Sequence, residues 1–161
     1  NRGRIPDALA SKLGVDGSFK INNRSVIYEI EYTKIYGNTY ITRGWFTNWE
    51  DRNIPLGYKY GPDCESLYFF ADYWINRNLL FFGTITYLEK GSLTFDSQYD
   101  ENGKPESPSN HVKYYTYCSP AIVWHHKYGK IETGWEGDIN NNGKNSFYFK
   151  LQLILNFGFN D

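Results

Sequence analysis

The stretch NSFYFKLQLILNFGF, residues 145–159, decides the fold. Phe147, Phe149, Leu151, Leu153, Leu155, Phe157 and Phe159 take alternate positions, and Ser146, Tyr148, Lys150, Gln152, Asn156 and Gly158 fill those between, with Ile154 the single breach. Successive side chains of a strand point to opposite faces, so this run has one wholly apolar face and one polar face. An ordinary half-buried strand needs about five or six residues. Crossing a bilayer as a tilted strand takes about 9–11, and this run is longer still. It ends in an aromatic beside the C-terminus, where outer-membrane barrels place their closing strand. The stretch therefore predicts a membrane-spanning strand of an antiparallel transmembrane β-barrel.

Working outward, the rest of the chain reads as strands of the same kind. Lys130 to Asp138 pairs with the closing strand through Asn140-Asn141-Asn142-Gly143, and His111 to Tyr128 precedes them, with Pro120 predicting a bulge or break. Glu65 to Trp74 and Asn78 to Lys90 form a hairpin around Asn76-Arg77. Leu67, Phe69, Ala71 and Tyr73 share one face of it with Phe81, Gly83, Ile85 and Tyr87. Gly17 to Asn22 and Ser25 to Thr33 form another hairpin, and Thr39 to Asn48 a further strand. Trp49 to Asp63 reads as a loop because glycines and prolines crowd it, and Phe95 to Asn110 as a long polar surface loop. Ile5 to Gly14 is predicted to be a short helix: Pro6 stands in its first turn, Leu9 and Leu13 are four apart, and Gly14 ends it. The count is about eight strands in a single domain over residues 1–161, without internal repeats.

Composition agrees with this and excludes other classes. A formal charge of −1 gives no electrostatic reason to expect nucleic acid or anionic lipid headgroups as partners. A mean hydropathy of −0.62 and the absence of any run of about 18 apolar residues exclude helical membrane spans. A barrel tolerates that polarity, since half of each strand faces a wet lumen. Aromatics reach 19%, led by 15 Tyr and 11 Phe, as strands, interfacial girdles and sugar-stacking surfaces all favour. There is no methionine and no signal peptide, so an exported barrel with this sequence is expected to be a processed product or a fragment. Cys64 and Cys118 are read as unpaired thiols, with a single disulfide as the alternative.

Candidate chemistry is sparse. Asp138-Ile-Asn140-Asn-Asn142-Gly143 matches the first half of a calcium loop, but Phe149 stands where the closing bidentate Glu belongs, so the segment reads as a polar turn. Glu29 and Glu31 share a strand face at a spacing that could suit a glycosidase pair, yet lumen-facing carboxylates explain them more simply. His125 and His126 point to opposite faces and cannot chelate one metal. No nucleophile elbow or phosphate loop is present. The chain is expected to be no enzyme and to need no metal or other cofactor. Arg43, Trp45, Trp49, Arg52, Tyr58 and Tyr60 put flat rings beside charged groups in one segment with Asp51 and Asp63. That pattern suits a sugar face, and it suits an interfacial girdle with loop packing as well.

The segments Tyr28-Glu-Ile-Glu-Tyr32-Thr33, Pro55-Leu56-Gly57 and Gly61-Pro62-Asp63, followed by Glu65-Ser66-Leu67, resemble the capsule assembly (Wzi-like) outer-membrane family. There an acidic strand end precedes a loop of the form PLGxxxGPDxxSL, and the likeness runs in order from about Gly14 to Phe159. The resemblance implies part of a large barrel of about eighteen strands, of which this chain would be the C-terminal portion. It implies an outer-membrane location in a Gram-negative bacterium and contact with lipid and the barrel-assembly machinery. It further implies a non-catalytic, lectin-like role in holding or assembling surface polysaccharide. Within the loop, Pro55, Gly57, Gly61, Pro62 and Asp63 are assigned a structural role. The glycines permit left-handed backbone, Pro62 fixes φ, and the Asp63 carboxylate is expected to anchor the loop, with Arg52 as its partner. The alternatives are a porin-like diffusion channel or small barrel, and a secreted carbohydrate-binding β-sandwich. The closing strand must pair with the Gly17–Asn22 region or with a strand outside this chain, and the second is expected.

Overall fold

The structure, a computed structural model, describes residues 9–39, 50–51, 54–55, 57–94, 97, 107–109, 111–140 and 145–153. Among the described residues nine strands follow one another: β1 Ala10–Ile21, β2 Arg24–Ile35, β3 Glu50–Asp51, β4 Ile54–Pro55, β5 Cys64–Trp74, β6 Leu79–Lys90, β7 Lys113–His126, β8 Gly129–Asp138 and β9 Ser146–Leu153. Seven form one antiparallel sheet in the order β1-β2-β5-β6-β7-β8-β9, and β3 and β4 form a separate two-stranded ladder. Every neighbour in the large sheet is the next long strand along the chain; short segments join β1 to β2, β5 to β6, β7 to β8 and β8 to β9, while residues 36–63 join β2 to β5 and residues 91–112 join β6 to β7. Among the described residues the sheet is open, with β1 and β9 as its edges, and β9 pairs with β8 alone. The closing strand therefore does not pair with the Gly17–Asn22 region there.

Over the described residues the predicted strands stand with adjusted ends, residues 154–159 of the closing strand lie outside the described residues, and two readings need correction. Residues 10–14 belong to β1 and not to a helix, and residues 5–8 lie outside the described residues. A spacing of four between Leu9 and Leu13 is one helical turn but also two strand steps. The neighbours decide: Leu13, Val15, Phe19 and Ile21 alternate with Lys12, Asp16, Ser18 and Lys20, which is period two. Pro120 brings the expected local break and no bulge: Cys118 faces Gly137 and Ala121 faces Gly134 in one register, while Ser119 and Pro120 between them take no partner on β8. On its other side Pro120 sits over Gly83, where an added Cβ would lie 3.4 Å from its Cα. The segment expected to be an irregular loop holds a short ladder, Glu50 opposite Pro55 and Asp51 opposite Ile54. The predicted strand at 39–48 lies outside the described residues except for Thr39, whose N closes a turn by donating to Tyr36 O at 3.0 Å and whose Oγ1 donates to Leu9 O at 2.7 Å.

The chain divides into two compact units. One comprises Asn1–Gly14, Glu31–Leu67 and Tyr87–Tyr115; the other comprises Val15–Ile30, Tyr68–Thr86 and Thr116–Asp161. The second unit has reversed polarity. Phe147, Phe149, Leu151 and Leu153 of β9 are 87%, 66%, 58% and 63% exposed, and Phe69, Phe81, Ile85, Ile122 and Trp124 are exposed too. Register builds these into rows: Trp124 faces Ile131, which faces Leu151, and Ile122 faces Thr133, which faces Phe149. On β8 and β9 the opposite face carries Lys130, Glu132, Glu136, Tyr148, Lys150 and Gln152, on β7 it carries Ala121 and Val123, and Glu132 and Asp138 are buried. Glu132 accepts from Lys150 Nζ at 3.1 Å and lies 3.8 Å from Lys130 Nζ. Among the described residues the buried apolar side chains are few: Val26, Ile35, Cys64, Leu88, Ala121 and Val123.

Two glycines admit aromatic rings across this sheet. A Cβ on Gly134 would come within 2.7 Å of the Tyr148 ring, its register partner, and one on Gly17 would come within 2.9 Å of the Tyr28 hydroxyl. Each tyrosine thus lies across its neighbour strand where a side chain would otherwise stand, covering backbone that a glycine leaves bare.

Candidate functional site

The first unit is organised by Gly61-Pro62-Asp63. Gly61 and Asp63 both hold left-handed backbone, with φ of 76° and 58°, on either side of a proline whose ring fixes its own φ. Gly61 N donates to Tyr58 O at 2.8 Å and so closes a tight turn. Pro62, Asp63 and Cys64 are completely buried. Burying a carboxylate is costly unless donors surround it, and here they do. Asp63 Oδ1 accepts from Ser109 N at 2.8 Å, while Oδ2 accepts from Leu93 N at 3.0 Å and from Ser109 Oγ at 2.5 Å. The Asp63 carbonyl accepts from Gly91 N at 2.8 Å. Gly91 has to be glycine, because a Cβ would stand 2.0 Å from Asp63 Oδ2.

Lys90 completes the cage from the end of β6. Its ammonium donates to Pro62 O and, at 3.0 Å, to Leu93 O. Burial pulls its pKa below the ordinary lysine value, against the opposing pull of Cys64 and Asp63. Cys64 opens β5 ahead of the apolar stretch that begins at Leu67, and its thiol donates to Gly61 O at 3.3 Å. Burial pushes its pKa up to about 11, with Lys90 opposing. Among the described residues Cys64 and Cys118 are both free thiols. At neutral pH Cys64 is then held as the thiol and not as the thiolate, the reactive form. In a Cys118→Ser background, Cys64 is expected to resist maleimide at pH 7 until denaturant is added. Prompt labelling of the native chain would show this cage to be open.

Among the described residues the Asp63 carboxylate takes its hydrogen bonds from Leu93 N, Ser109 N and Ser109 Oγ. Arg52 lies outside the described residues, and the observed donors come from the 91–94 and 107–109 segments, the latter held also by Ser107 Oγ donating to Ile35 O at 2.9 Å. No local pattern points from Asp63 to Ser109, a residue 46 positions away. Gly57 is exposed, and Pro55 takes part in the β3–β4 ladder.

Of the six residues proposed for sugar contact, Arg43, Trp45, Trp49 and Arg52 lie outside the described residues. Tyr58 and Tyr60 meet edge to face, with centroids 5.5 Å apart and planes at 76°. Lys59 Nζ lies 4.6 Å from the Tyr60 ring centre, within cation–π range. The Tyr58 hydroxyl is 2.6 Å from Ser66 Oγ, and burial raises its pKa. Tyr58 therefore serves packing under the loop as much as any surface.

The other motifs resolve into structural parts. Asp138 Oδ1 accepts from Asn140 N and Thr116 N, each at 3.1 Å, and Asn140 Nδ2 donates to Thr116 Oγ1 at 2.8 Å, which is turn chemistry. Asn142 and Gly143 lie outside the described residues. Glu31 pairs with Lys12 at 2.6 Å and accepts from Thr33 Oγ1 at 3.1 Å. His125 packs on Trp74, and His126 packs on Trp124 and Tyr128. Among the described residues no three His, Cys, Asp or Glu side chains gather as metal ligands would.

The Glu132 cluster is the polar feature that sequence reasoning missed. The available signal was that Glu132 and Lys150 occupy the polar positions of two strands joined by a hairpin. Comparison of the chain with protein-family models, curated proteins and solved structures gives no match.

Proposed function

We propose that this chain is wall and loop of an outer-membrane β-barrel that holds surface polysaccharide without acting on it chemically. The single observation behind the membrane part is the reversed polarity of the second unit. Large apolar side chains stand exposed in cross-strand rows, while the opposite face buries an ion-paired glutamate. In water such a face costs free energy in proportion to its apolar area. Against hydrocarbon it costs none, and lipid-facing strands alternate apolar-out and polar-in in this way. Under this reading the lipid is that of an outer membrane, and the Glu132–Lys150 face lines the lumen.

The polysaccharide part rests on the resemblance of the Pro55–Asp63 segment to capsule assembly proteins, together with the Tyr58–Tyr60 pair beside it. A diffusion channel is the second reading, favoured by the charged face that carries Lys130, Glu132 and Lys150. Single-tryptophan variants test the membrane part. With bromine in the lipid acyl chains, Trp124 on the apolar face is expected to be strongly quenched, and Trp74 beside His125 on the other face only weakly. Equal quenching, or a chain that folds and stays dispersed without detergent, would remove it. Retention of purified capsular polymer on the reconstituted protein, against ion conductance without retention, separates holder from channel.

A further inference from the structure

Two arginines on neighbouring hairpin turns converge on one cleft of the second unit, and the reading above leaves them unused. The cleft has a volume of about 630 Å³ and is lined by Asn23, Arg24, Ser25, Trp74, Asn76 and Arg77. Its backbone is set on both sides. Asn22 and Asn23 hold left-handed φ of 49° and 63°, the twist of a tight hairpin turn, and deliver Arg24 at the start of β2. The second turn is closed by Ile75 N donating to Leu79 O at 2.8 Å and by Asn78 N donating to Asn76 Oδ1 at 2.8 Å, which holds Arg77 at its tip. β2 and β5 are neighbours in the sheet, so the two turns adjoin. Trp74, packed on His125 at 5.3 Å, forms one wall.

Among the described residues no carboxylate lines this cleft, and neither arginine has an ion pair. Two guanidinium groups around one space repel each other unless an anion lies between them. Their planar forks suit oxygen anions in bidentate fashion. The two amides and the Ser25 hydroxyl add further donors that approach from outside any one plane, which the tetrahedral oxygens of a phosphate meet better than a planar carboxylate.

We infer that the cleft between the Asn22–Asn23 and Asn76–Asn78 turns binds a phosphoryl group bridged by Arg24 and Arg77. The group can come from free phosphate or from the headgroup of a phospholipid. The inference rests on the charge and geometry of the cleft and stands apart from the membrane and polysaccharide readings.

The test uses the full chain in maltoside micelles, which carry no phosphate, and follows the Nε–Hε resonances of Arg24 and Arg77. Inorganic phosphate and short-chain phosphatidylglycerol are titrated separately, with acetate as the control anion. Saturable shifts of both resonances are expected with at least one phosphate source and not with acetate. Arg24→Gln and Arg77→Gln should each weaken the apparent affinity about tenfold, and the double variant should abolish it. Saturation by the lipid alone identifies the headgroup as the source; saturation by both shows a site open to either. No saturable shift from either source, or an equal response to acetate, overturns the proposal, and the wild-type titrations decide this even where a variant fails to fold. Variants that retain their β-sheet circular dichroism and still bind with unchanged affinity overturn it equally.

Discussion

Replacing Asp63 by alanine is expected to lower the stability of the folded chain by about 3–4 kcal/mol. The carboxylate is completely buried and takes hydrogen bonds from Leu93 N, Ser109 N and Ser109 Oγ. Removing it leaves these donors in a partly buried site without an acceptor, at about 1–3 kcal/mol for each that water cannot reach. Alanine also tolerates the left-handed φ of 58° poorly. Asparagine accepts that backbone and keeps one acceptor oxygen, but it turns an amide NH₂ toward a donor. Asp63→Asn should therefore fall between wild type and Asp63→Ala. The measurement is the urea midpoint of the reconstituted protein, with polysaccharide retention followed in parallel. Both should decline together, because the cage ties the start of β5 to the 91–94 and 107–109 segments. Unchanged stability with lost retention would make Asp63 a ligand contact and end its structural assignment.

Replacing Leu151 by arginine separates a lipid-facing sheet from a water-facing one. Leu151 is 58% exposed and faces Ile131 across the strand pair. On a surface bathed in water, a leucine-to-arginine change stays within about 0.5 kcal/mol. On the lipid face of a barrel the same change costs about 2–4 kcal/mol near the bilayer midplane. Gln152→Arg, one residue along on the polar face opposite Lys130, is the matched control and should be nearly neutral. The fraction of chain that inserts into liposomes and migrates as the folded species on unheated gels reads both variants. Equal insertion of the two would overturn the lipid assignment of this face.

The alternation that opens β9 was legible in the sequence, as were the faces of β5 and β6 and the turns at Asn76-Arg77 and after Asp138. Each of these is settled within a few residues by side-chain direction and by the backbone preferences of Asn and Gly. β1 was misread in its first half because a spacing of four serves two periods at once. Pro120 was read correctly as a local break, because its missing N–H leaves positions 119 and 120 without partners on β8 while the register continues past them.

The candidate site was legible only in part. Gly61-Pro62-Asp63 announced a rigid turn with a carboxylate at its end, but the donors that surround the carboxylate are two backbone amides and a serine hydroxyl. Every residue except proline has such an amide, so composition and spacing give no reason to choose Leu93 and Ser109 over any other.

By itself the sequence determined that this protein is built of two-faced antiparallel strands, because alternation and turn chemistry are local properties written in neighbouring residues. Only the tertiary structure decided which strands share an edge, that Lys150 meets Glu132, that Tyr148 lies across Gly134, and that Asp63 is caged from β6 and beyond. These are contacts between distant segments whose chemistry many residues could supply. Which of them does so is chosen by the register and the path of the whole sheet.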